Sequence, residues 1–199
     1  MQRLKILGSA LIALSFSTSA ALAQQFDPKQ GYEIHTVSGL ALDNQESLDT
    51  NTKVFISKRE AGKESQVWNL IPCEREGCYT ITSPLTQMNI DNSGKGQVDC
   101  SVIQWSSDSG NPNQQWKVTA LPNGNYVFTN VSTGYNLGFP DAGLVGEPVF
   151  HLKADASKNS QQWQIHKSSL KVVAEALKIK SNNDWENERI YAINKEEGK

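Results

Sequence analysis

A Gln-x-Trp triplet occurs three times in this chain at nearly equal spacing. The copies are Gln66 to Trp68, Gln114 to Trp116 and Gln161 to Trp163. Consecutive tryptophans are 48 and 47 residues apart. A period of about 20 to 50 residues is typical of repeat architectures, in which units bury their apolar faces against one another because none forms a core alone. The spacing therefore predicts one structural unit used three times.

Each unit has the pattern of four short strands. Apolar and polar residues alternate as in half-buried strands, turn residues recur at intervals of about 8 to 12 residues, and no helical periodicity is present between Gln30 and His166. The twelve predicted strands lie at 31–36, 40–43, 54–56 and 66–71, at 77–82, 88–91, 102–105 and 114–119, and at 124–129, 135–138, 149–152 and 161–166. The pattern predicts an all-β domain.

The first 23 residues have the features of a secretory signal peptide. Arg3 and Lys5 precede an apolar stretch over 6–16, and small residues end at Ala23. The apolar stretch is shorter than the ~20 residues that span a bilayer, so a membrane anchor is the weaker interpretation. We expect cleavage after Ala23 and a secreted or periplasmic product that starts at Gln24 and does not act at a membrane.

Charge and catalytic residue types exclude several function classes. The formal net charge is −2 with no basic cluster, so nucleic acid is not an expected partner. The acidic residues are scattered in predicted turns instead of forming the carboxylate pair of a glycosidase. The three histidines are His35, His151 and His166. Their distances in sequence from one another and from the cysteines do not match the spacing of metal ligands. We expect no catalysis by this chain, no metal and no cofactor.

Three cysteines remain in a chain predicted to enter an oxidising compartment. Cys73 and Cys78 bracket the turn-like segment 74–77, so a disulfide could close this hairpin. Because the loop is small, the stabilisation would be modest. Cys100 is left over and is interpreted as a buried free thiol.

The three in-phase triplets and their matching strand openings resemble the ricin-type β-trefoil lectin domain. The resemblance covers about 26–166 and implies three four-stranded units with pseudo-threefold symmetry, in which a six-stranded barrel is capped by three hairpins. We place this domain at 24–166. It also implies structural roles for the triplet residues, with the indoles in the shared core and the amides bonded to nearby backbone: Gln66, Trp68, Trp116, Gln161 and Trp163.

The same resemblance implies where a sugar would bind. Lectins of this kind place a carboxylate after the second strand of a unit, an aromatic residue after the third, and an Asn-Gln pair before the structural tryptophan. A carboxylate accepts hydrogen bonds from sugar hydroxyls and an aromatic ring covers the apolar face of the sugar. The middle unit fills every role, with Asp91, Gln104, Trp105, Asn113 and Gln114. A galactose-type or other glycan is the expected partner.

The outer units depart from that pattern. The first keeps Asp43 but has Ser57 at the aromatic position, so we expect a weak site or none. The third has Gly138 and Leu152 at the two positions, with Asp141 three residues late, and is expected to be inactive. The alternative for the middle unit is that Asp91 only caps the turn that follows it, a common role of aspartate.

The segment 167–199 has a different composition. Apolar residues at Leu170, Val173, Ala174 and Leu177 suit a short amphipathic helix or a linker. Further on, Asp-Trp-Glu-Asn at 184–187 and Ile-Asn-Lys at 193–195 resemble the entry segment of secreted β-galactosidases of glycoside hydrolase family 2, although glutamate stands at 188 where that family usually has proline. None of that family's catalytic carboxylates is present.

Three functions are consistent with these patterns. The first is a secreted carbohydrate-binding module without catalytic activity. The second is the N-terminal glycan-targeting part of a modular β-galactosidase-like hydrolase, which overlaps with the first. The third is a trefoil that binds a protein or acts as a structural spacer, because fold alone does not dictate function.

Overall fold

The structure is a computed structural model, and it describes residues 26–94, 96–140 and 142–170. Four features predicted from the sequence lie outside the described residues. They are the signal peptide, Asp141, the part of the predicted helix or linker beyond Leu170, and the β-galactosidase-like segment. No helix of the described segments has the length and apolar character needed to cross a membrane.

The described residues form fifteen strands and three short 3₁₀ helices. In chain order the strands are β1 Gly31–Thr36, β2 Ala41–Asp43, β3 Thr52–Lys53, β4 Phe55–Ser57, β5 Val67–Pro72, β6 Cys78–Thr82, β7 Met88–Asp91, β8 Cys100–Ser101, β9 Ile103–Ser106, β10 Trp116–Ala120, β11 Tyr126–Asn130, β12 Asn136–Gly138, β13 Glu147–Pro148, β14 Phe150–Leu152 and β15 Trp163–Lys167. The helices are Glu64–Gln66, Pro112–Gln114 and Asn159–Gln161. Each unit has one strand more than predicted because a short strand precedes the third predicted strand.

Six strands close a barrel. Antiparallel pairing runs from β1 to β5, β6, β10, β11 and β15, and β15 returns to β1. The β2–β4, β7–β9 and β12–β14 hairpins cap this barrel, one from each unit. Closure removes the unpaired edges that an open sheet would expose. The predicted all-β trefoil with pseudo-threefold symmetry is confirmed.

The three hairpins interlock around the symmetry axis. The extra strand of each unit pairs with the third strand of another unit: β3 with β9, β8 with β14, and β13 with β4. At the centre, Val54 donates its N–H to the Val102 carbonyl at 3.1 Å, Val102 donates to Val149 at 2.9 Å, and Val149 donates to Val54 at 2.8 Å. All three valines are fully buried. This ring of backbone hydrogen bonds places each hairpin tip beside the neighbouring unit.

The indoles of the three triplets lie in the shared core. Each is fully buried, and its ring N–H donates to a carbonyl of its own unit: Trp68 to Leu42 at 2.9 Å, Trp116 to Ile90 at 3.2 Å and Trp163 to Leu137 at 3.0 Å. Buried aromatic side chains supply much of a core's apolar area, and the polar N–H needs a partner when it is buried. The repeated triplet therefore fixes the second strand of each unit against the barrel.

All three cysteines are free thiols in the structure, so the predicted Cys73–Cys78 disulfide is not formed there. The two residues do face each other where β5 and β6 meet the turn, and the Cys73 N–H donates to the Cys78 carbonyl at 2.8 Å. Burial is the main cause of a raised pKa at Cys73, and the neighbouring Cys78 thiol raises it further. Cys100 is half-buried.

Candidate functional site

Asp91, Trp105 and Asn113 come together at one open cleft on the middle unit. Asp91 is the last residue of β7, Trp105 lies on the paired strand β9, and Asn113 lies on the 3₁₀ helix before β10. The cleft has a volume of about 310 Å³. This is at the lower end of the range of roughly 300 to 1,000 Å³ for small-molecule sites. Its lining is completed by Asn51, Ser93, Gly94, Ile103 and Asn111.

The Asp91 carboxylate both holds the following turn and lines the cleft. It accepts hydrogen bonds from the Gln114 side-chain amide and from the Ser93 backbone N–H. Burial raises the pKa of Asp91, whereas these two hydrogen bonds lower it, and the net direction is upward. Asp91 therefore caps the turn, as the alternative interpretation of the sequence proposed, and also lines the cleft. A partly desolvated carboxylate with acceptor capacity remaining is suited to accepting hydroxyl protons.

Trp105 and Asn113 present unpaired polar groups beside this carboxylate. Trp105 is 43% exposed, in contrast to the fully buried indoles of the core. The Asn111 side chain caps the 3₁₀ helix by accepting from the Asn113 backbone N–H at 3.0 Å, which fixes the position of Asn113. Gly94, in the turn beside this amide, has a φ of 64°, a backbone conformation that favours glycine.

Gln104 and Gln114, also predicted for the site, do not line the cleft. Gln104 is fully buried, and its amide donates to the backbone carbonyls of Ser47 at 2.7 Å and Asp49 at 2.9 Å. Gln114 is fully buried as well, and it donates to the Ser106 carbonyl at 3.0 Å. The structure therefore places both amides in bonds that hold loops, although Gln114 also contacts the Asp91 carboxylate.

The triplet glutamines of the outer units make the same bonds as Gln114. Gln66 donates to the Lys58 carbonyl at 2.9 Å, and Gln161 donates to the Lys153 carbonyl at 3.0 Å. Each side-chain oxygen accepts from the backbone N–H six residues earlier in the chain. The amides thus close the loop that precedes each 3₁₀ helix.

The equivalent position in the first unit is occupied by protein groups. Asp43 is fully buried and accepts from the Gln45 backbone N–H and from Gln66 Nε2 at 3.0 Å. The Lys63 ammonium, at the position of Asn111, lies 3.7 Å from the Asp43 carboxylate. Ser57 takes the place of Trp105. The acidic residue predicted for this unit is therefore present but satisfied within the chain.

The third unit has no space for a carboxylate at its equivalent position. A Cβ atom on Gly138 would lie 2.8 Å from Leu152 Cδ1 and 2.8 Å from the Ser160 carbonyl. Leu152 itself stands where the middle unit has Trp105. Packing across β12 and β14 thus closes the site predicted to be inactive.

The histidines lie apart from the cleft. His35 is buried and hydrogen-bonds Glu33 at 3.1 Å, with its ring centroid 4.9 Å from that of His166. His151 is fully buried and both of its ring nitrogens lack a hydrogen-bond partner. Across the described segments, no three His, Cys, Asp or Glu side chains are grouped closely enough to hold a metal ion.

Comparison with known families supports the fold and assigns the chain. The model of the ricin-type beta-trefoil lectin domain-like family matches residues 64–149 and 112–187, which together cover more than half of the sequence. The chain belongs to this family. No curated protein sequence matches it.

Solved structures similar to this ricin-type domain include designed, hydrolytic and lectin proteins. ThreeFoil, a designed threefold-symmetric protein, is 25% identical, with 68% of this chain and 96% of that chain covered and a TM-score of 0.64. The exo-beta-1,3-galactanase 1,3Gal43A of Clostridium thermocellum is 22% identical, with 72% and 31% covered and a TM-score of 0.65. The C-half of an earthworm R-type lectin in complex with GalNAc is 19% identical, with 70% and 99% covered and a TM-score of 0.55.

Three polar residues at the cleft of this ricin-type domain were not predicted from the sequence: Asn51, Ser93 and Asn111. Ser93 and Asn111 are close in sequence to predicted site residues, whereas Asn51 is not. Asn51 belongs to the first unit, yet it lines the cleft of the middle unit. Its backbone N–H donates to the Gln104 carbonyl at 2.9 Å, next to the start of β3. A comparison of units by position alone assigns Asn51 to the wrong unit, because only the interlocked hairpins bring it to β9.

Proposed function

We propose that this domain is a secreted carbohydrate-binding module with one principal site, at Asp91, Trp105 and Asn113, and without catalytic activity of its own. The observation that carries the proposal is that a carboxylate, an exposed indole and a free amide line the same cleft. Membership of a lectin-like family supports a carbohydrate as the ligand.

The chemistry of the three groups suits a sugar. The Asp91 carboxylate can accept from vicinal hydroxyls, and hydrogen bonds to a charged group contribute about 1.5 to 3 kcal/mol. The exposed Trp105 indole can cover the apolar C–H face of a sugar ring, and the Asn113 amide can both donate and accept. A galactose-type ligand is our first choice, in keeping with the lectin neighbour that was solved with GalNAc.

One such open site is expected to bind weakly. A ligand that stays largely exposed makes few contacts, so we expect a dissociation constant on the order of 1 mM. Effective attachment would then need several binding modules acting together or a covalent link to another domain.

A glycan array provides the test. Labelled wild-type protein, displayed multivalently, is expected to bind neutral galactose-containing glycans, whereas Asp91→Ala and Trp105→Ala abolish binding. Leu144→Ala is the matched control, because it also removes an exposed apolar side chain from a hairpin but lies away from the cleft. Unaltered binding by both cleft variants would disprove this site. A protein pull-down that gives a partner, beside an array without hits, would favour the protein-binding alternative.

A second candidate function is glycan targeting for an attached hydrolase. The tail motifs at 184–187 and 193–195 support it, and in the galactanase of Clostridium thermocellum the matched region makes up 31% of the chain. We expect the gene to encode a β-sandwich directly after the Lys199 codon. A continuation of the gene without such a domain would remove this candidate.

Secretion would affect the two cysteines at the turn between β5 and β6. In an oxidising compartment, Cys73 and Cys78 are expected to form the disulfide predicted from their spacing. Intact-mass measurement of protein from the culture medium or periplasm, with and without reductant, should show a difference of two hydrogens. Two alkylatable thiols at these positions under non-reducing conditions would contradict the expectation.

A further inference from the structure

The cleft of the middle unit is built from two units, because Asn51 reaches it from the hairpin tip of the first. Its side-chain amide makes no hydrogen bond to the residues that the structure describes, and the same holds for the amide of Asn113 and the indole N–H of Trp105. Three free hydrogen-bonding groups therefore border one concave surface beside Asp91.

Asn51 is held rigidly at this position. The hairpin tip that carries it is bonded to β9, since Gln104 donates to the carbonyls of Ser47 and Asp49 and accepts at its own carbonyl from the Asn51 N–H. Within the tip, the Ser47 and Thr52 hydroxyls lie 3.0 Å apart. Because this backbone is fixed before binding, only the side chain of Asn51 has to be ordered when a ligand engages it.

The first and third units have other residues at the position that Asn51 occupies beside the middle unit. Gly146 donates to the Ile56 carbonyl beside the first unit, and Asp99 donates to the His151 carbonyl beside the third, as Asn51 does to Gln104. All three have a positive φ, at 63° for Asn51, 64° for Asp99 and 86° for Gly146. The middle site is thus the one at which this backbone position carries a neutral amide.

We propose that Asn51 is a ligand-contacting residue that makes this site a joint subsite of two units with a preference for uncharged glycans. This inference rests on the proposed carbohydrate-binding function. Asp91 is the one charged side chain among the described lining residues, and the other polar side chains there are amides and a hydroxyl. Among the residues that the structure describes, no cation pairs with the Asp91 carboxylate, which therefore repels acidic sugars. Neutral hydroxyls can pair with both the carboxylate and the amides.

The test compares two glycine substitutions at equivalent positions. Asn51→Gly removes the amide without strain, because glycine adopts a positive φ freely and Gly146 occupies the same position elsewhere. Asp99→Gly is the matched control beside the closed third site. Both variants and Asp91→Ala are applied at equal concentration to an array of immobilised neutral and sialylated glycans, and their melting temperatures are recorded.

We expect Asn51→Gly to weaken binding of the neutral glycans about 3- to 10-fold, the effect of one lost hydrogen bond, while Asp99→Gly binds as wild type and sialylated glycans give no signal. Unchanged binding by Asn51→Gly to glycans that Asp91→Ala loses would overturn this inference and leave the proposed function intact. Preferred binding of sialylated glycans would also overturn it. A wild-type protein that binds no glycan would instead refute the proposed function.

Discussion

Lys63 Nζ lies 3.7 Å from Asp43 Oδ2, so the first unit satisfies its own acidic residue with a cation. The same ammonium lies 3.0 Å from the Glu60 carboxylate, and the hydrogen bond to Glu60 raises the pKa of Lys63. Asn111 takes the place of this lysine in the middle unit, and there the acidic residue faces an open cleft. The residue before the 3₁₀ helix is thus one of two differences between these sites, the other being Ser57 at the position of Trp105.

Replacing both residues that distinguish the first unit should therefore create a second binding site. Lys63→Asn frees Asp43, and Ser57→Trp supplies an indole at the position of Trp105. We expect the double variant to bind two equivalents of glycan where the wild type binds one, with the second weaker because Gly146 stands at the Asn51 position. A nuclear magnetic resonance titration detects the second site at such affinities, because the indole signal of the introduced tryptophan should shift with its own saturating dependence. One equivalent in a correctly folded double variant would show that other features close the first site.

Tryptophan substitutions should separate binding from stability. Trp105→Ala removes a ring outside the core on a residue that is 43% exposed, so we expect lost glycan binding with a fall in unfolding free energy under about 1 kcal/mol. Trp116→Ala empties a fully buried core position and should cost about 3 to 5 kcal/mol. Chemical denaturation of both variants checks the contrast. A strongly destabilised Trp105→Ala would mean that its ring is part of the core.

Glycan binding should weaken when acid protonates Asp91, and this should occur at a higher pH than for an aspartate of ordinary pKa. Ligand hydroxyls donate to the ionised carboxylate, and burial raises the pKa of Asp91 above its usual value of 3.8. Binding is therefore expected to be full at neutral pH and to be lost as pH falls through a midpoint above 3.8. The same shift implies that the stability contribution of Asp91 is present at low pH and is lost as pH rises through the raised pKa.

Affinity measured between pH 7 and pH 3.5, with circular dichroism to confirm that the protein stays folded, provides the check. Asp91→Asn is the control, because any residual binding should not depend on pH over this range. A wild-type affinity that is constant down to pH 3.8 in folded protein would contradict the role of the carboxylate.

Much of the fold could be predicted from the sequence, because the features that encode it are local and repeated. Each Gln-x-Trp triplet lies within one strand or its approach, and alternation within a few residues is enough to place the four main strands. The short strands β3, β8 and β13 were missed because their pairing partners lie in other units. Their two-residue length gives no periodicity that a sequence pattern could reveal.

The site was predicted less completely, for related reasons. Asp91, Trp105 and Asn113 could be predicted because each occupies a fixed position in the repeated unit. Those positions can be identified in the sequence from the strand pattern and the Gln-x-Trp triplet. Asn51 was not predicted, since the interlocked hairpins bring it from another unit. Gln104 was placed at the site, but its amide holds the neighbouring hairpin tip instead, a use that depends on contacts more than 50 residues apart in sequence.

A buried histidine should make stability depend on pH. Burial lowers the pKa of His151, whose ring nitrogens lack partners and which packs against Tyr135, while the Asp99 carboxylate acts in the opposite direction. Because the folded-state pKa is below the ordinary value of 6.5, stability is full above that pH and falls as pH drops below it. The equivalent residue in the first unit is Ile56.

His151→Ile should therefore stabilise the fold by about 1 to 2 kcal/mol, since it removes unsatisfied buried polar atoms. It should also reduce the loss of stability between pH 6.5 and pH 5. A residual slope is expected from His35, whose pKa is also lowered, chiefly by burial. Denaturant titrations at several pH values measure both effects, and an unchanged pH dependence in the variant would show that the pKa of His151 is the same in the folded and the unfolded protein.

The most direct test of the central claim is a nuclear magnetic resonance titration of ¹⁵N-labelled protein with neutral galactosides, observed at the tryptophan indole signals. We expect the Trp105 indole signal and the backbone signals of Asp91 and Asn113 to shift together with one saturating dependence. The indole signals of Trp68, Trp116 and Trp163 should stay in place, because these rings are fully buried. Saturable shifts that leave Trp105 and Asp91 unaffected would contradict the proposed site. No shift with any sugar tested would contradict carbohydrate binding itself.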